Sequence, residues 1–323
     1  LAWTNLHAQI HQTLTDRGLL PSQSKILVAV SGGQDSLCLG QLLKDLQPKW
    51  RWHIVIGHCD HGWAQDVGIA NHVSQIAARW ELPFELETTH NLPETEVAAR
   101  EWRYQALITM AQRADCSYLV TAHTQTDRAE TLLYNLIRGA GADGLSALSW
   151  TRSLTSDITL VRPLLEISRT TTGQFCQSSS LTIWDDVYNH NPKYARNRLR
   201  EKIIPQIAAN FHPQVESHLA HTAELLRAEV EYLESLALEL YDRVSREAPE
   251  SAIDRVILRS APLALQRRVM RHFLQQHLGK MPTFHHIEDT ISLITAPNRT
   301  RTSTLSQGLT AQADGQWIVI TSN

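Results

Sequence analysis

The sequence predicts an α/β protein: a parallel five-stranded sheet with helices on both faces, followed by a smaller, mainly helical domain that ends in a β-hairpin. Three observations carry this. Between Lys25 and Val161, short apolar runs alternate with helical periodicities, the pattern of parallel strands joined by covering helices. Beyond Pro213 the composition changes and a long amphipathic stripe begins. The 323 residues suffice for one large domain and one smaller one, within the usual size range of domains. The division is drawn between 1–212, the large domain, and 213–323, a linker helix, a helical domain and the hairpin.

Residues 1–20 carry a helical pattern with no signal-peptide character,. Residues 26–30 are a continuous apolar run rich in β-branched side chains, as expected of a strand covered on both faces. Leu37, Leu39, Leu42, Leu43 and Leu46 then recur at helical spacing,. Between the two lies Ser31-Gly32-Gly33-Gln34-Asp35-Ser36. Small residues at a helix N-terminus leave the first N–H groups pointing outward, which is a phosphate-binding arrangement. Two glycines permit positive φ and close approach of a ligand. An acid in the first turn, Asp35, can hold Mg²⁺ against those phosphates. The stretch is neither a Walker-type loop nor a dinucleotide fingerprint, and an ordinary capped strand-to-helix turn would use the same residue types.

Residues 52–58 read as the second strand, 66–80 as a helix, and 83–87 as the third strand. A long helix follows over 94–114, then a fourth strand over 117–122 and a helix over 127–138. Residues 151–157 read as a surface loop and 158–161 as the fifth strand. The run from Arg162 to Arg169 enters another helix, and the turn-rich stretch 184–192 leads into a basic helix ending near Pro205. Leu226, Val230, Leu233, Ala237, Leu240 and Val244 form the packing stripe of a long helix. Shorter helical patterns fill 253–295, and 308–320 read as a hairpin turning at Asp314-Gly315,.

In such sheets ligands bind at the carboxyl ends of the strands, and three predicted strands end in polar clusters. The first ends in the glycine turn, the second in His58-Cys59-Asp60-His61-Gly62, and the fourth in Thr121-Ala122-His123 with Asp127 and Glu130 following. The two histidines are suited to line the pocket. Asp127 and Glu130 are three apart at a helix start, so both carboxylates share one face. That pair suits either helix capping or capture of an ammonium group.

The formal net charge is −3 and masks a gradient: residues 1–150 hold 11 Lys/Arg against 15 Asp/Glu, whereas 151–212 hold 8 against 5. A local basic patch suffices for phosphate binding, because screening acts beyond about 10 Å. No apolar run approaches membrane-span length, so no membrane partner is expected,. The four scattered cysteines, Cys38, Cys59, Cys116 and Cys176, spell neither a disulfide framework nor a zinc site and fit a reducing cytoplasm,.

The Ser-Gly-Gly-x-Asp-Ser turn resembles the loop of the ATP-pyrophosphatase superfamily. From about Lys25 to Pro205 the chain resembles one member family, tRNA(Ile)-lysidine synthetase. The resemblance runs through the glycine turn, His58-Cys-Asp-His61, Ala99-Arg100-Glu-Trp-Arg103-Tyr104 and Thr121-Ala-His123 with Asp127 and Glu130. It continues through Arg138-Gly-Ala-Gly141, Arg162-Pro-Leu-Leu165 and Tyr194-Ala-Arg196-Asn-Arg198-Leu-Arg200. Thr124, Thr126 and the Tyr188-Asn189 pair depart from the family pattern.

The resemblance implies an adenine-nucleotide-binding fold of the ATP-pyrophosphatase type. It also implies ATP-dependent ligation of free lysine to C2 of the wobble cytidine in the CAU anticodon of isoleucine tRNA. An adenylated cytidine is the intermediate, and lysidine, AMP and pyrophosphate are the products. Ser31, Gly32, Gly33, Gln34, Asp35, Ser36, His58, His61 and Arg138 would border ATP, with Asp35 placing Mg²⁺. Asp127 and Glu130 would hold the lysine, and with Asp35 would carry the catalysis. Arg100, Arg103, His123, Arg196, Arg198 and Arg200 would contact the tRNA or the substrate carboxylate, with Trp63 or Trp102 as stacking surfaces,. A homodimer is compatible with the sequence. Two alternatives remain: a tRNA thiolase of the same superfamily, with Cys59 as its candidate nucleophile, and a non-catalytic nucleotide-binding regulator.

Overall fold

Ile26, Leu27 and Val28 are fully buried in β1 (Lys25–Ala29), and their side chains alternate between two cores. Ile26 and Val28 join one apolar cluster, whereas Leu27 packs with Leu107, Met110 and Leu119 on the opposite face. A central parallel strand shows this pattern because helices cover both of its faces. The computed structural model describes residues 3–63, 67–90, 92, 93, 95–184, 194–246, 251–305 and 308–322.

The first helix, α1 (Asn5–Asp16), precedes β1, and α2 (Gln34–Trp50), β2 (His53–Asp60), α3 (Ile69–Arg79) and β3 (Phe84–Thr88) follow it. Then come α4 (Glu96–Arg113), β4 (Tyr118–Val120), α5 (Gln125–Ile137), the short α6 (Ala142–Leu145), β5 (Thr151–Ser153), β6 (Thr159–Val161) and α7 (Arg169–Ser178). The strand order is β3-β2-β1-β4-β6-β5. The chain therefore leaves β1 towards one side for β2 and β3, and returns to its other side for β4 and β6. The switch point lies at the carboxyl end of β1, where open α/β sheets bind ligands. Residue 66 and residue 94, where two helices were expected to begin, lie outside the described residues, as does most of the turn-rich stretch 184–192.

The sheet has six strands, not five. Residues 151–153, read as loop, form β5 and pair antiparallel with β6 through Thr151↔Val161, Arg152↔Leu160 and Ser153↔Thr159. All three β5 residues are exposed. An edge strand held only by backbone bonds needs no apolar face, so it leaves no alternation to detect.

A second difference lies at the basic helix, which does not end near Pro205. After α8 (Ala195–Arg198) the backbone makes a π turn over Leu199–Ile203 and continues as α9 (Ile204–Asn210). Proline lacks the N–H that an α-helix would use, and a wider turn just before it lets the helix proceed without that bond.

The chain forms two compact units, Leu1–Arg227 and Ala228–Asn323. The boundary falls inside α10 (Val215–Val244), beyond the division expected after residue 212. The reason is visible in the first turns of α10. Ala220 and Ala223 are buried there, and Glu224 accepts from Arg17 (2.9 Å) and from the Trp150 indole (3.0 Å). Arg227 donates to the carbonyl of Ala147 at 3.1 Å.

In the second unit, α11 (Arg255–Arg259), α12 (Leu263–Leu278) and α13 (Phe284–Ser292) pack on a four-stranded antiparallel sheet. That sheet joins β7 (Ser245–Arg246) and β8 (Ala252–Asp254) to the expected hairpin of β9 (Leu309–Asp314) and β10 (Trp317–Ser322). The hairpin pairs Asp314 with Trp317 around Gly315-Gln316, and Gly315 takes φ 57°, which its first loop position requires,. Among the described residues no helix is long and apolar enough to cross a membrane.

Candidate active site

The carboxyl ends of β1, β2 and β4 border a cavity of about 330 Å³. The glycine turn forms one wall. Gly32 has φ +85°, and a Cβ there would stand 3.3 Å from Ile69 and 3.4 Å from Val73, so this position accepts only glycine comfortably,. Gly33 is different: its φ is −78°, in the extended N-cap of α2, and no side chain caps the helix. Ser36 Oγ accepts from the Ser31 N–H (3.1 Å) and donates to the Gly33 carbonyl (2.8 Å), pinning the loop from within. The uncapped first turn of α2 thus faces the cavity with its N–H groups available to an anion.

Asp35 lines the same wall. Burial raises its carboxyl above the usual range, against the opposing effects of the Thr172 hydroxyl, which donates to Oδ1, and of the Arg169 guanidinium 3.9 Å from Oδ2. Gln34, expected beside ATP, spends its amide on the Arg169 carbonyl (2.6 Å) and Thr172 Oγ1 (2.8 Å). Its role in the fold is to dock the start of α7 against α2. Among the described residues no group of three or more His, Cys, Asp or Glu could enclose a metal. One or two carboxylates completed by phosphate oxygens is nevertheless the usual mode for Mg²⁺. Asp35, half-buried beside the phosphate-binding turn, fits that mode.

Three imidazoles line the opposite wall, all neutral. His58 Nδ1 donates to the Val30 carbonyl at 2.7 Å, which leaves Nε2 as a buried acceptor without a protein partner,. His61 is packed between Trp63, stacked at 4.8 Å, and Trp102, tilted at 5.0 Å. Burial and then the Arg103 charge hold its pKa down to about 4. The two tryptophans expected as base-stacking surfaces therefore support His61. His123 bonds Thr121 Oγ1 through Nδ1 at 2.9 Å, and burial brings it down to about 3.

These depressed values carry a pH consequence. An unfolded histidine takes up a proton near pH 6.5, whereas these two stay neutral in the fold. Their contribution to stability is complete above pH 6.5 and is lost as pH falls through about 4 for His61 and about 3 for His123. Urea titrations between pH 7.5 and 4.5 are expected to show stability falling on acidification, by up to about 1.4 kcal/mol per pH unit for each histidine. His61→Gln should flatten that slope, and an unchanged slope would show that His61 does not contribute.

The acids lie at the start of α5. Thr124 caps the helix, and its N–H and hydroxyl both donate to Asp127 Oδ2 at 2.8 Å. Burial opposes ionisation of Asp127, but the hydrogen bonds from Thr124 and the Arg200 charge hold it below the usual carboxylate range. Its other oxygen lies 3.7 Å from Arg200. Glu130 is 1 % exposed, and both its oxygens accept from Arg200, at 2.5 and 3.0 Å. Burial pushes Glu130 up to about 7, with Arg200 working against the rise. Arg200, expected to contact the tRNA or the substrate carboxylate, lines the cavity and is the partner of the two acids.

The cavity wall includes Ser31, Gly33, Gln34, Asp35, Ser36, His58 and His61, and also Arg100, Arg103, His123, Asp127 and Arg200. It does not include Gly32, Glu130, Arg138, Arg196 or Arg198. Arg138 is exposed at the C-cap of α5, where it donates to Tyr134 Oη at 2.8 Å. Arg196 is half-buried and Arg198 exposed on α8. Tyr104 was named only within the family motif, and no site role was expected of it, of Arg169 or of Thr172. The available signal for the last two was Ser168, an N-cap residue shortly after a predicted strand, on the rim where ligands bind,.

Cys59 also lines the cavity, but burial raises its thiol to about 12, which removes it as a ready nucleophile,. Cys38 and Cys176 are buried free thiols in helices.

Residues 3–207 match the family described as PP-loop domain, and residues 254–318 match the TilS substrate binding domain. A curated relative from Nostoc sp., named tRNA(Ile)-lysidine synthase, is 52% identical over 99% of this chain and 98% of its own length. Another of that name, from Synechocystis sp., is 49% identical over 96% of each. Among solved structures, a U34-tRNA thiolase from Methanococcus maripaludis superimposes with a TM-score of 0.59. It is 18% identical and covers 68% of this chain and 77% of that one, a likeness of fold.

Proposed function

Because this chain belongs to the tRNA(Ile)-lysidine synthase family, we propose that it joins free lysine to C2 of the wobble cytidine in the CAU anticodon of isoleucine tRNA, at the expense of ATP. One observation carries the reading. The uncapped start of α2, the neutral histidines and Asp127 of α5 meet on a single cavity at adjacent strand ends.

In the first step the C2 oxygen of the cytidine attacks the α-phosphorus of ATP, and pyrophosphate leaves. The first-turn N–H groups of α2 hold the departing phosphates, where fixed dipoles stabilise charge without reorganising. Asp35 would hold Mg²⁺ there, and the ion when bound neutralises charge on the phosphates. His58 presents its bare Nε2 to the nucleotide as a hydrogen-bond acceptor.

In the second step the amine of lysine attacks C2, and the C–O bond to the adenylate breaks with AMP as leaving group. Asp127 turns the oxygen not used by Thr124 towards that amine and accepts its proton,. Glu130 acts on the lysine through Arg200, to which both its oxygens are bonded. Arg100, Arg103, Arg196 and Arg198 lie on or near the cavity rim and favour a polyanionic substrate,.

Incubation with labelled lysine, ATP, Mg²⁺ and both CAU-anticodon tRNAs is expected to label the isoleucine tRNA and not the methionine tRNA. No labelling of either would sink the proposal. Asp127→Asn is expected to raise the lysine concentration needed for half-maximal rate by about tenfold or more, because one charge-assisted contact is lost. Pyrophosphate release should persist in that variant. Its loss together with lysine binding would show that Asp127 serves the first step.

A further inference from the structure

We infer that the arginines around Tyr104 form a site for an RNA phosphodiester at the mouth of the cavity. The inference rests on the RNA-modifying reading above. Arg100 of α4 and Arg152 of β5 lie over the Tyr104 ring, at 5.3 and 5.1 Å from its centroid. Arg162, at 2 % exposure, closes the group from inside, with Nη1 donating to the Ser149 carbonyl at 2.7 Å. Among the described residues, no ion pair joins Arg100, Arg152 or Arg162 to a carboxylate. The buried Tyr104 hydroxyl accepts from the Arg162 guanidinium, so inside the group that charge is met by a phenol and not by a carboxylate. Like charges gathered without counter-charge are costly. An oxyanion relieves that cost.

The tyrosine records the same field: burial works to raise its hydroxyl, yet the Arg162 and Arg100 charges outweigh it and hold it below its usual value.

The ligand is identified by charge and by access. Free lysine carries a net positive charge and is repelled by three guanidiniums as a whole. The phosphates of ATP have the start of α2, at the end of another strand. A phosphodiester chain is polyanionic and can occupy both ends of the group. Arg152 is exposed on the sheet's edge strand, so one end is open to solvent, whereas Tyr104 lines the cavity at the other. Guanidinium is the side chain suited to phosphate because its planar fork can form two bonds at once. The edge strand β5 then has a function: it carries an arginine to the cavity mouth.

The test uses the full chain and an anticodon stem–loop RNA bearing CAU, with binding followed by fluorescence anisotropy across a salt series. Arg152→Gln, an exposed position, is expected to weaken binding about 5- to 20-fold and to reduce the slope of log Kd against log salt by about 1. Tyr104→Phe should weaken binding with the slope unchanged, because a neutral hydroxyl displaces no counterion. The Kd for ATP should move less than twofold in Arg152→Gln. Wild-type binding with no change in either variant would overturn the site alone. A raised lysine requirement in Arg152→Gln with RNA affinity unchanged would assign the group to a carboxylate and also overturn it. Failure of the wild-type chain to bind the stem–loop would overturn the proposed function together with the site.

Discussion

Asp35→Asn is expected to lower pyrophosphate release by about a hundredfold, the scale seen when one preorganised electrostatic contact to a developing charge is removed. Asparagine keeps the shape and the acceptor that meets Thr172 Oγ1, so the contact between α2 and α7 survives. What changes is charge. The carboxylate sits half-buried at the first turn of α2, beside the loop proposed to hold the phosphates. Without it the Mg²⁺ requirement should rise steeply, and the defect should ease in part at high Mg²⁺. Thermal unfolding should stay close to wild type. If the variant released pyrophosphate normally, Asp35 would be a structural residue and the division of labour between the two ends of the cavity would be wrong.

The second large effect is on stability. Arg200→Met is expected to destabilise the protein by about 3–5 kcal/mol, the cost of leaving a buried charge without its partner. Glu130 is 1 % exposed, and both of its charged hydrogen bonds come from Arg200. Protonation offers Glu130 an escape, since its carboxyl is already raised to about 7 by burial. In the variant its folded-state pKa stands still further above the unfolded one. The protonated form is then the stable one, so the loss should be small near pH 5 and grow as pH rises through neutrality. The double variant Arg200→Met with Glu130→Met should recover much of the stability, because the pair is removed as a unit. A single variant that unfolds within about 1 kcal/mol of wild type at pH 8 would show that the pair is not desolvated as its geometry indicates.

The reach of the sequence shows at the same residues. Ser31 to Ser36 were legible because a strand, a glycine turn and a helix start are local features, and their chemistry follows from which N–H groups a helix leaves unpaired. His58 and His61 were legible as pocket residues from their position after a strand. Gln34 was not legible as a dock for α7, because its partners Arg169 and Thr172 lie far along the chain. Thr124, a departure from the family pattern, proved to be the N-cap whose hydrogen bonds with Asp127 complete a capping box. The two readings of Asp127 thus coexist, with one oxygen given to the cap and the other facing the cavity and Arg200.

By itself, the sequence determined the order of β1 to β4 and β6 with their covering helices, the phosphate-binding turn and the rim on which the chemistry gathers. Each of these depends on side-chain periodicity or turn chemistry within about a dozen residues. Only the tertiary structure decided which charges meet. Arg200 lies 70 residues from Glu130, on the π turn over Leu199–Ile203. Arg152 reaches Tyr104 because an edge strand with no apolar face pairs with β6. Charge pairing between distant elements leaves no period in the chain, because a guanidinium is compatible with many partners until packing removes all but one. The acids, the arginines and the glycine turn could be named from their order; which of them touch follows from the sheet that brings their strand ends together.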